Sequence, residues 1–250
     1  MKKYLILVIL LAVTFSFAQE EIPFPSISIR VSPPQNQRDL VVTLEILLIL
    51  TVLTLAPSIL VLFTSFTRII VVFSFLRNAL GTRQTPPNQV LVGLALFLTF
   101  FIMQPVWNDI YNNALTPYLN GKIGYQEMFN RTMGRVRQFM LAELKNHHNE
   151  DNVFLLASSV GNKIERIEDA PNSLIIPAFV LGELEIGFKM GVLLYIPFIV
   201  IDMVVSSVLL SMGMIMIPPV LVSLPFKVLL FIAVNGWDLL VSGLIKSFAR

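Results

Sequence analysis

Four long apolar stretches run through the chain, at about Leu40–Phe63, Val90–Trp107, Pro177–Ser211 and Val220–Leu244, with Pro57, Pro105, Pro197 and Pro225 inside them. In hydrocarbon every backbone N–H and C=O must be satisfied within the protein, so stretches of this length span a membrane only as helices. A proline removes one N–H and crowds the preceding turn. It is accepted at membrane depth only where neighbouring groups take up the freed carbonyl. The pattern therefore predicts an all-α, polytopic helical membrane protein built from broken helical hairpins. Composition agrees: 55% of the 250 residues are apolar and 14% charged, outside the usual range of soluble domains. The near-neutral charge balance leaves no nucleic-acid footprint. The absence of cysteine excludes disulfides and thiolate chemistry.

The sharpest interruption is Ser211-Met-Gly-Met-Ile-Met-Ile-Pro-Pro219. Pro218 and Pro219 cannot continue a helix from behind, and residues ahead of a proline are pushed toward extended backbone. The chain must turn there, presenting Met212, Met214, Ile215 and Met216 on a backbone set by Gly213 and the proline pair. Methionine is unbranched and polarizable, so such a cluster serves either as gap-filler in a packed turn or as a surface that conforms to objects of different shape.

In chain order, residues 1–18 read as a cleavable signal peptide: Lys2 and Lys3, a short apolar core, then Ser16-Phe-Ala18. The other reading of this segment is an uncleaved anchor. Residues 19–39 form a polar, proline-bearing lead-in on the exported side. Residues 40–107 make a first helical hairpin. Its opening span continues through Ile69–Leu76 as one long helix, and its connecting loop lies near residues 77–89. Arg68, Arg77 and Arg83 are the only charges between residues 64 and 89. Three positives without an acid mark a cytoplasmic loop by the positive-inside rule. Gly81 closes the helix before it, and Pro86 and Pro87 start the next.

Residues 108–185 hold half of the charged residues and both histidines, and read as a small helical periplasmic domain with a strong helix at Tyr125–Lys145 and a shorter one at Asn152–Val160. Residues 186–250 form a second hairpin around the methionine turn. Gly182, Gly187 and Gly191 interrupt its approach. Asp202 and Lys227 flank the turn; charges at such depth face a bundle interior or each other, so an ion pair between adjacent helices or subunits is expected. Lys246 and Arg250 fall on the outer side of a four-span model. That is a mild violation of the charge rule.

Nothing in the chain reads as an enzyme. Asp202 and Asp238 lack glycine-containing surroundings suited to an aspartyl pair. His147-His148 beside Glu150 and Asp151 lacks the i, i+4 spacing of a zinc helix and reads as a solvated loop. No catalytic, cofactor-binding or metal residues are assigned. Physics alone leaves a pore or gate component and a secondary transporter. The second predicts internal hydropathy repeats, and only two unequal hairpins are seen.

The runs Phe66 to Val90, including Gly81-Thr-Arg-Gln-Thr-Pro-Pro-Asn88, Ile201 to Pro219, and Ser223 to Phe231 closely resemble the FliP family of flagellar biosynthesis proteins. The resemblance covers essentially the whole mature chain. It implies an export-gate subunit of the flagellar type III secretion apparatus in the bacterial inner membrane at the basal body. It also implies a homo-oligomer that assembles with FliQ and FliR, with FlhB and FlhA as neighbours and unfolded flagellar proteins as substrate. The family's methionine-rich loop corresponds to Met212, Met214 and Met216, and its implied role is to seal around the translocating chain. Where close relatives carry three successive methionines, this sequence has Met214-Ile-Met216. A virulence-secretion subunit is the alternative; those relatives usually lack the cleavable signal and have a shorter external domain. The resemblance further implies a gate sitting largely above the bilayer plane, so that the hairpins bury protein surface rather than lipid.

Overall fold

The computed structural model describes residues 37–82 and 85–248. The signal-peptide reading, all but the end of the lead-in, Arg83 and Arg250 lie outside those residues. The described residues fold as helices joined by turns and loops, with no strand among them. The described residues divide into two units at the boundary between residues 51 and 52.

Helix α1 covers Gln37–Phe63. Leu44, Leu48, Leu53 and Leu55 along it are all more than half exposed. A helix apolar all round is covered by lipid or protein in its working state. It does not run on into the next helix, as its sequence suggested. Thr64 Oγ1 donates to the Leu60 carbonyl at 2.5 Å, and Thr67 Oγ1 to the Val61 carbonyl at 2.8 Å. These hydroxyls take the carbonyls that would continue the ladder, and the helix breaks at Thr64–Ser65.

Helix α2, Phe66–Ala79, is the centre of the core: Ile69, Phe73, Leu76 and Ala79 have no exposed surface. Helix α3, Asn88–Ile102, packs beside it and ends at buried Met103. The chain then bends by 56° into residues Gln104–Leu119. Pro105, with no N–H for the preceding turn, accounts for the bend. The bent segment comprises α4 (Gln104–Ile110), a π turn (Tyr111–Leu115) and α5 (Thr116–Leu119). Pro117 cannot donate to the Asn113 carbonyl four residues back; Arg131 donates to it instead, at 2.9 Å.

Helix α6, Tyr125–Asn146, buries Val136, Phe139, Met140 and Leu144 against the core. Helix α7, Asp151–Ser159, closes at Gly161. Arg137 pins the following loop by donating to the Glu168 and Ala170 carbonyls at 2.6 and 2.7 Å. Lys145 pairs with Glu168 and, through that hydrogen bond, holds its carboxyl down at about 2.

Helix α8 runs unbroken through 40 residues, Asn172–Ser211, despite Pro177 and Pro197. At 1.5 Å per residue it is about 60 Å long, twice the thickness of a bilayer core. Of the glycines expected to interrupt it, Gly182 lies against Asn149 and Leu144, and Gly187 and Gly191 are contact points for α2. A Cβ at Gly187 would meet Val71 at 3.0 Å, and one at Gly191 would meet Phe75 at 2.4 Å. The boundary expected at residue 185 falls inside this helix. Residues of α6 and α7 share one hydrophobic cluster with α2, α3 and the start of α8, so segment 108–185 has no separate core. Helices α9, Pro219–Ala233, and α10, Gly236–Ser247, meet at a 63° bend. The break lies not at Pro225 but at Asn235, whose φ of +51° is left-handed.

At the centre sits Arg68, with no exposed surface. It grips Glu183 of α8 bidentately, Nε to Oε2 at 3.0 Å and Nη2 to Oε1 at 2.5 Å. Nη2 also reaches Glu143 of α6 at 2.8 Å. Nη1 donates to the carbonyl and hydroxyl of Ser247 at 2.9 and 3.0 Å, and the Phe248 ring covers the guanidinium at 3.6 Å. Arg68 is thus no loop charge. Its positive charge is spent on two buried carboxylates, which leaves Arg77 and the undescribed Arg83 to the topology rule. Nor is His147 in a solvated loop: its Nε2 lies 3.2 Å from Arg68 Nη1 and 3.0 Å from the Ser247 carbonyl.

Removing the cation while leaving its acids buried is the costly change. Arg68→Met is expected to destabilise the protein by about 3–5 kcal/mol, read as a lowered urea or thermal midpoint in detergent. Burial first, and the adjacent Arg68 charge second, depress the His147 pKa below the ordinary imidazole value of 6.5. The unfolded chain therefore binds the proton that the folded one refuses. This contribution to stability is intact above about pH 6.5 and declines as pH falls from there toward the depressed folded value. In melting curves across that window, His147→Gln should flatten the decline; an unchanged slope would remove His147 as its source.

Candidate functional site

The methionine turn is built by the end of α8. Gly213 has a φ of +75°, and two hydrogen bonds close the helix: Gly213 N–H to the Leu210 carbonyl at 3.0 Å and Met214 N–H to the Leu209 carbonyl at 2.9 Å. This is a Schellman stop, which needs a left-handed residue and so favours glycine. Pro218 is extended, with ψ of 117°, and Pro219 opens α9, where a missing N–H costs nothing. Between the stop and the restart the side chains stand out: Met216 is 96% exposed, Ile215 78% and Met212 67%.

Below the tip, the two arms are tied together. Lys227 Nζ of α9 donates to Asp202 Oδ2 of α8 at 2.6 Å, and Ser223 Oγ donates to Asp202 Oδ1 at 2.5 Å. Lys227 and Ser223 are buried, while Asp202 keeps about a quarter of its side chain exposed. The ion pair expected from sequence thus forms between adjacent helices of one chain. Ser223 was not foreseen, although its position one turn ahead of Lys227 on α9 carries the signal. Asp238 stands apart, exposed in the first turn of α10, where the helix dipole favours an acid.

The loop after α2 comes to the same place. Arg77 is half-buried in the last turn of α2, Gly81 ends that helix with a φ of +74°, and Pro87 caps α3 with Pro86 half-buried before it. Gly81 lies against Val220 and Lys227. The structure therefore brings Asp202, Lys227 and Gly81 together and holds Met212–Met216 beyond them as an uncovered apolar tip. The arrangement offers a soft, apolar, conformable surface on a polar base.

A double-mutant cycle of Asp202→Asn and Lys227→Met should give a coupling of about 0.5–3 kcal/mol in detergent unfolding. Each single change should cost more than its share, because it strands a charge or dipole partly out of water. Additive effects would mean that the pair does not tie the arms.

The family model for the FliP family matches residues 49–244. The chain is 45% identical to the flagellar biosynthetic protein FliP of Aquifex aeolicus over 96% of this chain and 97% of that one. Against the protein of the same name from Bacillus subtilis it is 46% identical, over 87% of this chain and 96% of that one. For the Borreliella burgdorferi protein the figures are 46%, 82% and 81%. With a family match spanning both hairpins and relatives aligned over most of their length, this chain belongs to the FliP family.

Proposed function

We propose that this chain is a subunit of the flagellar type III protein export gate, and that its methionine turn is a gasket in the pore. The observation that carries this reading is the uncovered tip: three methionines and Ile215 exposed beyond a stop that fixes the backbone and a base that ties the arms. Apolar constrictions close to ions by dewetting. Thioether side chains, with three rotatable bonds, reshape around whatever passes. A ring of such turns excludes hydrated ions when closed and yields to an unfolded chain.

One copy supplies one turn, so the reading requires several copies around a common axis, together with FliQ and FliR and next to FlhB and FlhA. Two helical segments, Leu44–Phe63 and Asn172–Ser211, are long and apolar enough to cross a membrane, and two bent pairs become spans if each is counted as one. In an apolar 18-residue stretch of each, only 0% and 11% of the residues are buried within the chain. That exposure fits a multi-pass inner-membrane subunit whose hairpins are covered by lipid or by neighbouring subunits. Segment 108–185 then faces the periplasm, docked on α8. The flagellar names of the relatives favour the flagellar apparatus over its virulence counterpart.

Changing Met212, Met214 and Met216 together to alanine should leave co-purification with FliQ and FliR intact while raising small-ion leakage and lowering motility. Wild-type tightness with normal motility would reduce the turn to packing.

A further inference from the structure

At the root of the methionine turn, the end of α2 meets α9 at a glycine. Gly81 ends α2, its N–H bonded to the Asn78 carbonyl at 3.0 Å. A side chain begun there would place its Cβ 3.3 Å from Val220 Cγ1 and 3.8 Å from Lys227 Nζ. Val220 is the second residue of α9, four positions after Met216. Lys227 is the residue that holds Asp202 of α8. Around this contact a cleft is lined by Gly81, Thr82 and Thr85 and by Pro218, Val220, Leu221 and Leu224. Behind Gly81, α2 is anchored, with Leu76 and Ala79 fully buried and Leu80 nearly so.

We propose that Gly81 is a positioning residue for the methionine turn: its bare backbone lets the end of α2 seat against Val220 and the Lys227–Asp202 pair, which indexes the root of the turn to the core. The importance of that position for export rests on the gasket reading above; the contact itself does not. A contact at 3.3 Å is tighter than most real Cβ contacts, so an added methyl group makes the Val220 side chain give by a few tenths of an ångström. The Val220 side chain is half exposed, while Lys227, the other neighbour of Gly81, is buried and bonded to Asp202. Displacing Val220 moves the start of α9, and with it the arm that carries Pro218 and Met216. The loop joining α2 to α3 thereby acquires a mechanical route to the turn, through Gly81 and not through a side chain.

The test uses the full chain in detergent, which has no native cysteine. Spin labels at Asn78→Cys and Ile215→Cys, both exposed positions, report the distance from the end of α2 to the tip. Gly81→Ala is expected to shift and broaden that distance distribution, and Val220→Ala in the same background to restore it. Gly81→Asn separates contact from backbone strain, because asparagine tolerates the left-handed region while still carrying a Cβ. It should shift the distribution as alanine does. Val220→Leu presses the same contact from the α9 side without touching the Gly81 backbone, and should also shift it. An unchanged distribution in Gly81→Ala and Val220→Leu, a native one in Gly81→Asn, or no restoration by Val220→Ala would each overturn the proposal. Because the readout is a distance, it stands apart from the leakage assay: a tight methionine-to-alanine gate would sink the gasket and leave this result untouched.

Discussion

One buried guanidinium holds the packed part of the molecule in register. Arg68 joins α2 to α8 through Glu183, to α6 through Glu143 and to the end of α10 through Ser247 and Phe248. An arginine has five N–H donors in a fixed plane, and here each N–H-bearing nitrogen has an acceptor. Moving any one of these segments by a helical step would leave a carboxylate or a carbonyl buried without its partner. Such a cluster contributes less to net stability than its count of bonds implies, because desolvating three charges is expensive. What it penalises heavily is every alternative packing of the same apolar helices, which hydrophobic contact alone would tolerate.

That register has a consequence at the other end of α8. The first half of the helix is embedded, with Ile175, Ala178 and Phe179 buried, while Met203, Val204 and Leu210 in the second half are more than half exposed. A single unbroken helix thus carries the geometry of the core out to the methionine turn. The Asp202–Lys227–Ser223 cluster repeats, on a smaller scale, what Arg68 does in the core: a few directional polar contacts set the relation of apolar helices that would otherwise slide. The tip beyond it has no such constraint. A rigid stem with a conformable end is the arrangement that a seal around a changing object requires.

Much of this was legible in the residues. Apolar length, proline positions and the Met–Gly–Met turn gave the helical class, the broken hairpins and the tip, because these follow from local backbone rules. The Asp202–Lys227 pair was legible because opposite charges in apolar helices have few other places to go. Arg68 was not, and the reason is physical. Read along the chain it counts as one of three positives after a span, whereas its partners lie 75 and 115 residues away. The signal that could have found it is its setting inside the apolar run Phe66–Leu76, away from the polar residues of a loop. The continuity of α8 was hidden for a related reason: glycine reads as a breaker in one chain, yet in α8 it marks where α2 comes too close for a side chain.

The central claim is that the exposed methionine tip becomes the closed constriction of an assembled gate. Replacing the most exposed of these side chains, Met216→Cys, puts the chain's single thiol at that point. In assembled gates without substrate, mild oxidation should link this position between copies of the chain. A stalled export substrate should abolish the link and shield the thiol. A thiol that stays unlinked and freely labelled by an aqueous reagent, with substrate or without, would contradict the account.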